Sequence, residues 1–141
     1  MKNCIFHDVG AGNFDRVIFE IAESAYYRDE KALIFAPSEE RATEIDRILW
    51  ILKQEAFIPH KIFKMGEDAD PTLKIAIVTA EINPIDAGML IADGACSLEF
   101  AGGFRTIHEF VRRSSPQLHE ASRRRYRNYR SMPIAVEYVN K

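Results

Sequence analysis

Residues 123 to 130, RRRYRNYR, put five arginines and two tyrosines into eight positions. Guanidinium groups fork onto carboxylates and phosphates through parallel hydrogen bonds, and a tyrosine plane beside them offers an apolar wall. On a regular helix His119, Arg123, Tyr126, Arg127 and Arg130 fall within an arc of roughly 100°. Leu118, Ala121, Ser122 and Tyr129 form an adjacent face suited to packing on a sheet, and Arg124 points away from both. Such an Arg/Tyr face can hold an apolar side chain while its arginines fork onto carboxylates. It can equally stack a base over a phosphate contact. A merely solvated helix face is the plain alternative.

The charge is unevenly spread. The whole chain of 141 residues carries a net charge of −2, whereas residues 105 to 130 hold eight arginines, no lysine and two glutamates. That segment is therefore +6 on an acidic remainder. A basic patch on an acidic body favours a local, shaped contact over wholesale wrapping of a polyanion.

Enzyme chemistry finds little support. VGAGNFD, after an apolar opening segment, has two glycines of a dinucleotide fingerprint, Gly10 and Gly12, but lacks the third. No acidic residue closes the second apolar segment, which ends in Ala36-Pro37, and no Gly-Lys-Ser/Thr phosphate loop occurs. His7, His60, His108 and His119 do not stand at metal-ligand spacing from one another or from cysteine. Asp86, Asp93 and Glu99 fall near expected strand ends, where solvated loop carboxylates are the default reading. Cys4 and Cys96, each in apolar sequence, read as buried free thiols of a reducing compartment. The expectation is a chain without enzymatic activity, metal or cofactor.

A second feature lacks a core role. Ala42, Ile45, Ile48, Leu49 and Leu52 recur at helical spacing, and Trp50 projects roughly 140° from the centre of that stripe. With FIPH close behind it (Phe57, Ile58, Pro59, His60), Trp50 marks either an apolar partner patch or a surface that FIPH folds back to cover.

The elements that position these residues follow from periodicity. NCIFHDV, KALIFAP, LKIAIVTA and GMLIADG read as strands, SLEFA as a further strand, and IAVEYV as a closing one. Helices are expected after Asn13, after Ser38, briefly over 104 to 111, and from Ser115-Pro116 to Met132-Pro133, where serine caps and proline fits the first turn. Strands alternating with helices predict one α/β domain over 1–141, a Rossmann-like three-layer arrangement with a largely parallel sheet and helices on both faces. No apolar run is long enough to span a bilayer, and no signal peptide is evident, so a cytoplasmic location is expected.

LWILKQEAFIPH (49 to 60) and ASRRRYRNYR (121 to 130) together resemble the two signature stretches of the chi-subunit family of bacterial DNA polymerase III. MKNCIF at the start, ALIFAPSEERATEIDRILW before the first signature and a last strand ending VNK agree in order. The resemblance implies a non-catalytic accessory protein of the replicative clamp loader, with a Rossmann-like fold that lacks a working nucleotide site. It implies two partners: the acidic C-terminal tail of single-stranded-DNA-binding protein, and the psi subunit or an equivalent. By position Arg123, Tyr126 and Arg127 match the tail-binding helix, His119 stands where a basic residue can sit, and Arg130 completes the arc. Trp50 and Phe57 match the psi-facing surface, with Ile58, Pro59 and His60 beside them. DNA would then be engaged indirectly. The RRR run is more basic than the family's mixed-charge stretch. Direct nucleic-acid binding is the first rival reading, and a small nucleotide-binding enzyme using the GAG turn a weaker one.

Overall fold

The computed structural model describes residues 2–9, 14–51 and 58–140. The elements in order are β1 (Asn3–Asp8), α1 (Phe14–Tyr27), β2 (Ala32–Phe35), α2 (Glu39–Ile51), β3 (His60–Phe63), β4 (Ile75–Val78), β5 (Met89–Ala92), α3 (Leu98–Ala101), β6 (Thr106–Phe110), α4 (Pro116–Arg130) and β7 (Ala135–Asn140). The seven strands form one sheet in the order β3-β4-β2-β5-β6-β1-β7. Every pairing is parallel.

Parallel strands need helical crossovers, which cover both faces of the sheet. All four residues of β2, β4 and β5 are buried for that reason. Ala32 and Ile34 face the layer of α1 and α2, packing with Val17, Ile18, Ala22, Ala42, Ile45 and Leu49. Leu33 and Phe35 face the other layer, with Ala101 of α3 and Tyr129 of α4. Both cysteines are buried and free.

Two local expectations are corrected, and one strand is added. SLEFA alternates like a strand, yet Leu98–Ala101 is helix, because Ser97 Oγ accepts from the Phe100 N–H at 3.0 Å and caps a single turn. Glu81 reinforces the cap by accepting from the Ser97 N–H at 2.7 Å and its hydroxyl at 2.9 Å. The short helix expected over 104 to 111 is strand β6, seated between β5 and β1. Its His108 and Glu109 are buried, which local sequence does not announce. HKIF, assigned to no element from sequence, is edge strand β3. The Gly10 and Gly12 turn, the Asn13 cap, Leu52 and Phe57 lie outside the described residues.

At the carboxyl edge of the sheet Gly94 allows a close approach. A Cβ there would stand 2.9 Å from the Pro37 backbone, and its N–H donates to the Phe35 carbonyl at 2.9 Å. The loop after β5 is thereby drawn against the end of β2.

Candidate functional site

α4 is placed by contacts at several heights. Ser115 caps it, accepting from the Leu118 N–H at 3.1 Å, with Pro116 in the first turn. One turn further the Ser122 hydroxyl accepts from the Arg112 N–H at 2.9 Å. Deeper still, Arg125 Nε and the Tyr129 hydroxyl both donate to Glu109 Oε2, at 2.7 and 2.8 Å. Burial pushes the Glu109 carboxyl above the usual range, although Arg125 and Tyr129 pull it the other way. The Phe6 ring meets Tyr126 and Tyr129 edge-on, at 5.1 and 5.8 Å. Two donors on successive turns that share one acceptor fix both the rotation and the axial register of the helix.

With α4 so turned, His119, Arg123, Tyr126 and Arg127 line one side of a cleft of about 450 Å³. Phe6, Val111 and Ser122 line it too, and Arg113, from the loop after β6, and Tyr138 of β7 complete it. Arg127 meets Glu120 at 3.3 Å, but both are well exposed, and such pairs contribute about 0–1 kcal/mol. Arg127 remains available to a ligand. The fifth member of the expected arc, Arg130, does not line the cleft; its guanidinium lies 5.9 Å from the Tyr126 ring centroid.

The adjacent face is corrected in part. Ser122 and Tyr129 are buried as expected, whereas Leu118 and Ala121 are exposed and border a hollow shared with Ala92, Asp93 and Arg125. Arg125, one of the eight clustered residues, belongs to the core contact with Glu109. Sequence reading missed Phe6, Val111, Arg113 and Tyr138. The signals were present: Arg112-Arg113 falls just before the Ser115 cap, and Tyr138 lies on an alternating final strand.

Asp8, buried at the end of β1, organises the far side of this cleft. Arg113 Nε donates to its Oδ1 at 3.0 Å and Nη2 to its Oδ2 at 2.5 Å, while the Tyr138 hydroxyl donates to Oδ2.

The second expected surface separates into exposed and enclosed parts. Trp50 is 48% exposed near the end of α2, with the His60 ring 5.0 Å from it. Ile58 is a core residue, and the His60 side chain is fully enclosed, so these two are corrected from surface to support. His60 Nδ1 lies 2.7 Å from the Ile58 carbonyl and Nε2 lies 3.0 Å from Asp46 Oδ1. Pro59 is half-buried beside them.

At the carboxyl edge Asp93 is buried rather than solvated. Arg41 Nε donates to it at 2.8 Å, and Arg112 Nη2 approaches at 3.2 Å. Arg41 continues to Asp15 at 2.7 Å. These pairs join the first turns of α1 and α2 to the ends of β5 and β6, where open α/β sheets otherwise receive ligands. Elsewhere His7 Nε2 and His108 Nδ1 lie 2.9 Å apart in the core. Among the described residues no cluster of His, Cys, Asp or Glu could hold a metal ion, and no helix is long and apolar enough to cross a membrane.

Comparison with known proteins agrees over the length of the chain. The family model described as DNA polymerase III chi subunit, HolC, matches residues 1–137. The chain is 26% identical over 137 residues to DNA polymerase III subunit chi of Escherichia coli (strain K12), covering 92% of each. It is 28% identical over 122 residues to the protein of that name from Pseudomonas aeruginosa (strain PAO1), covering 86% of this chain and 82% of the other.

Proposed function

This chain belongs to the DNA polymerase III chi subunit family, and we propose that it serves the replicase as an adaptor with no catalytic step of its own. It is a replication accessory subunit. In our reading the α4 cleft captures the acidic C-terminal tail of single-stranded-DNA-binding protein. The surface around Trp50 receives psi or an equivalent clamp-loader partner, and DNA is engaged through the tail-bearing protein.

One observation carries this reading: the convergence of His119, Arg123 and Arg127 on a cleft with Phe6, Val111 and Tyr126. Phosphate binding needs chiefly positive charge, whereas a cleft that joins cations to buried aromatic surface suits a ligand combining carboxylates with an apolar side chain. The carboxyl edge supports the same choice over a nucleotide enzyme, since Arg41 and Arg112 there are already paired with carboxylates.

The test is a titration of the chain with the tail peptide carrying a free or an amidated C-terminus, beside single-stranded DNA of mixed sequence. Saturable binding of the free-acid peptide, lost on amidation, is expected. Binding of bare DNA that falls steeply with salt, together with indifference to the peptide, would replace the adaptor by a direct nucleic-acid-binding domain.

A further inference from the structure

Arg113 lies outside the helical arc, in the loop that leaves β6, yet it lines the same cleft. Its side chain is 48% exposed, whereas the Asp8 carboxylate that holds it is 5% exposed. Nε and Nη2, one edge of the guanidinium, are committed to Asp8. A guanidinium has five N–H donors in a rigid fork, so this clamp leaves donors to spare and fixes their direction. Tyr138, held on the same carboxylate, stands beside it in the lining.

We propose that Arg113 is a second carboxylate-binding residue of the cleft, facing the cations of α4, and that Asp8 is the positioning residue that aims it. The ligand this geometry takes is a peptide end bearing carboxylates on either side of an apolar residue. One carboxylate meets Arg123 and Arg127, the other meets Arg113, and the apolar group rests on Phe6, Val111 and Tyr126. Pre-orientation by Asp8 lowers the entropy lost when a long side chain is immobilised by ligand. The alternative is that Arg113 only neutralises a buried aspartate. In that case its exposed part contributes nothing to binding.

This inference rests on the cleft being a site for acidic peptides, and the experiment separates the two claims. Affinity for the tail peptide of single-stranded-DNA-binding protein is measured for the wild type, Arg113→Ala, Arg113→Lys, Asp8→Asn and the Asp8→Asn/Arg113→Ala double variant, with melting temperatures alongside. Arg113→Ala should weaken binding by about tenfold or more, the scale of one charge-assisted hydrogen bond, and Arg113→Lys should restore only part of it. Asp8→Asn should also weaken binding, although it removes a negative charge from the wall of a site for anions. In the Arg113→Ala background it should weaken binding no further. Wild-type affinity in Arg113→Ala, or tighter binding by Asp8→Asn, would overturn the proposal while leaving the peptide site intact. No binding by the wild type would remove both. Should Asp8→Asn fail to fold, the Arg113 variants decide alone.

Discussion

The hydroxyl of Tyr129 donates to the buried carboxylate of Glu109 at 2.8 Å, joining α4 to β6 inside the core. Arg125, one turn earlier, closes on the same oxygen. Removing one partner of such a pair strands the other in a poorly solvated place, whereas replacing both with apolar groups of similar volume is often neutral. Glu109→Ala should therefore cost about 3 kcal/mol or more. The triple variant Glu109→Leu/Arg125→Met/Tyr129→Phe, which leaves none of the three polar partners stranded, should recover most of that loss. Urea unfolding of the two proteins provides the comparison, and equal losses would mean that the stranded partners are not the source of the cost.

Arg123 and Arg124 are sequence neighbours, both exposed, and only Arg123 lines the cleft. Each alanine substitution removes one positive charge, so a contact that merely counts charge would respond alike to both. Arg123→Ala should weaken the tail peptide by about 2 kcal/mol or more, and Arg124→Ala by the small amount of a rim charge. Isothermal titration of the two variants reads the difference directly.

Trp50 and His60 are in ring contact but differ in exposure. Trp50→Ala should leave the urea midpoint close to wild type while abolishing recovery of psi in a pull-down. His60→Ala should lower stability, because it empties an enclosed space and removes the partner of Asp46. A large stability loss in Trp50→Ala would show the indole to be core, and its loss of partner binding would then be indirect.

Burial pushes the Cys96 thiol up to about 11 and the Cys4 thiol higher still. Burial likewise raises the Tyr129 phenol above its ordinary 10.0. An unfolded thiol ionises near 9.0, so above that pH the unfolded chain has lost protons that the folded chain keeps. Stability contributed by these groups is thus complete below pH 9 and declines as pH rises toward the folded values. The urea midpoint should fall between about pH 8 and about pH 10. At about pH 8 the native chain should react slowly with a disulfide reagent, and both cysteines should react at once on unfolding. Fast labelling of the native chain would contradict the burial.

Much of the layout was legible where periodicity and caps act locally. KALIFAP read as a strand buried on both faces, and Ser115-Pro116 marked the start of α4; both follow from short-range rules. The Arg/Tyr arc placed four of its five members on one cleft because helix geometry is regular. What stayed hidden depends on distant partners. TIHEF is a central strand only because His7 accommodates His108, and Arg125 and Tyr129 accommodate Glu109. Asp93 looked solvated because its arginines come from α2 and from the loop after β6. Arg113 escaped because a side chain on a loop has no period to betray its direction.

β1 sits between β6 and β7, so the earliest strand finds neither of its neighbours until Thr106 and then Ala135 have been made. During synthesis NCIFHD must wait as an unpaired strand, with its own apolar side chains uncovered. A sheet completed by such distant partners orders late and slowly, because loop closure precedes any reward from pairing. Until those partners have been made, the nascent chain is exposed to mispairing. Because α4 and β7 follow β6 in the chain and complete the cleft, the cleft exists only once both have been made.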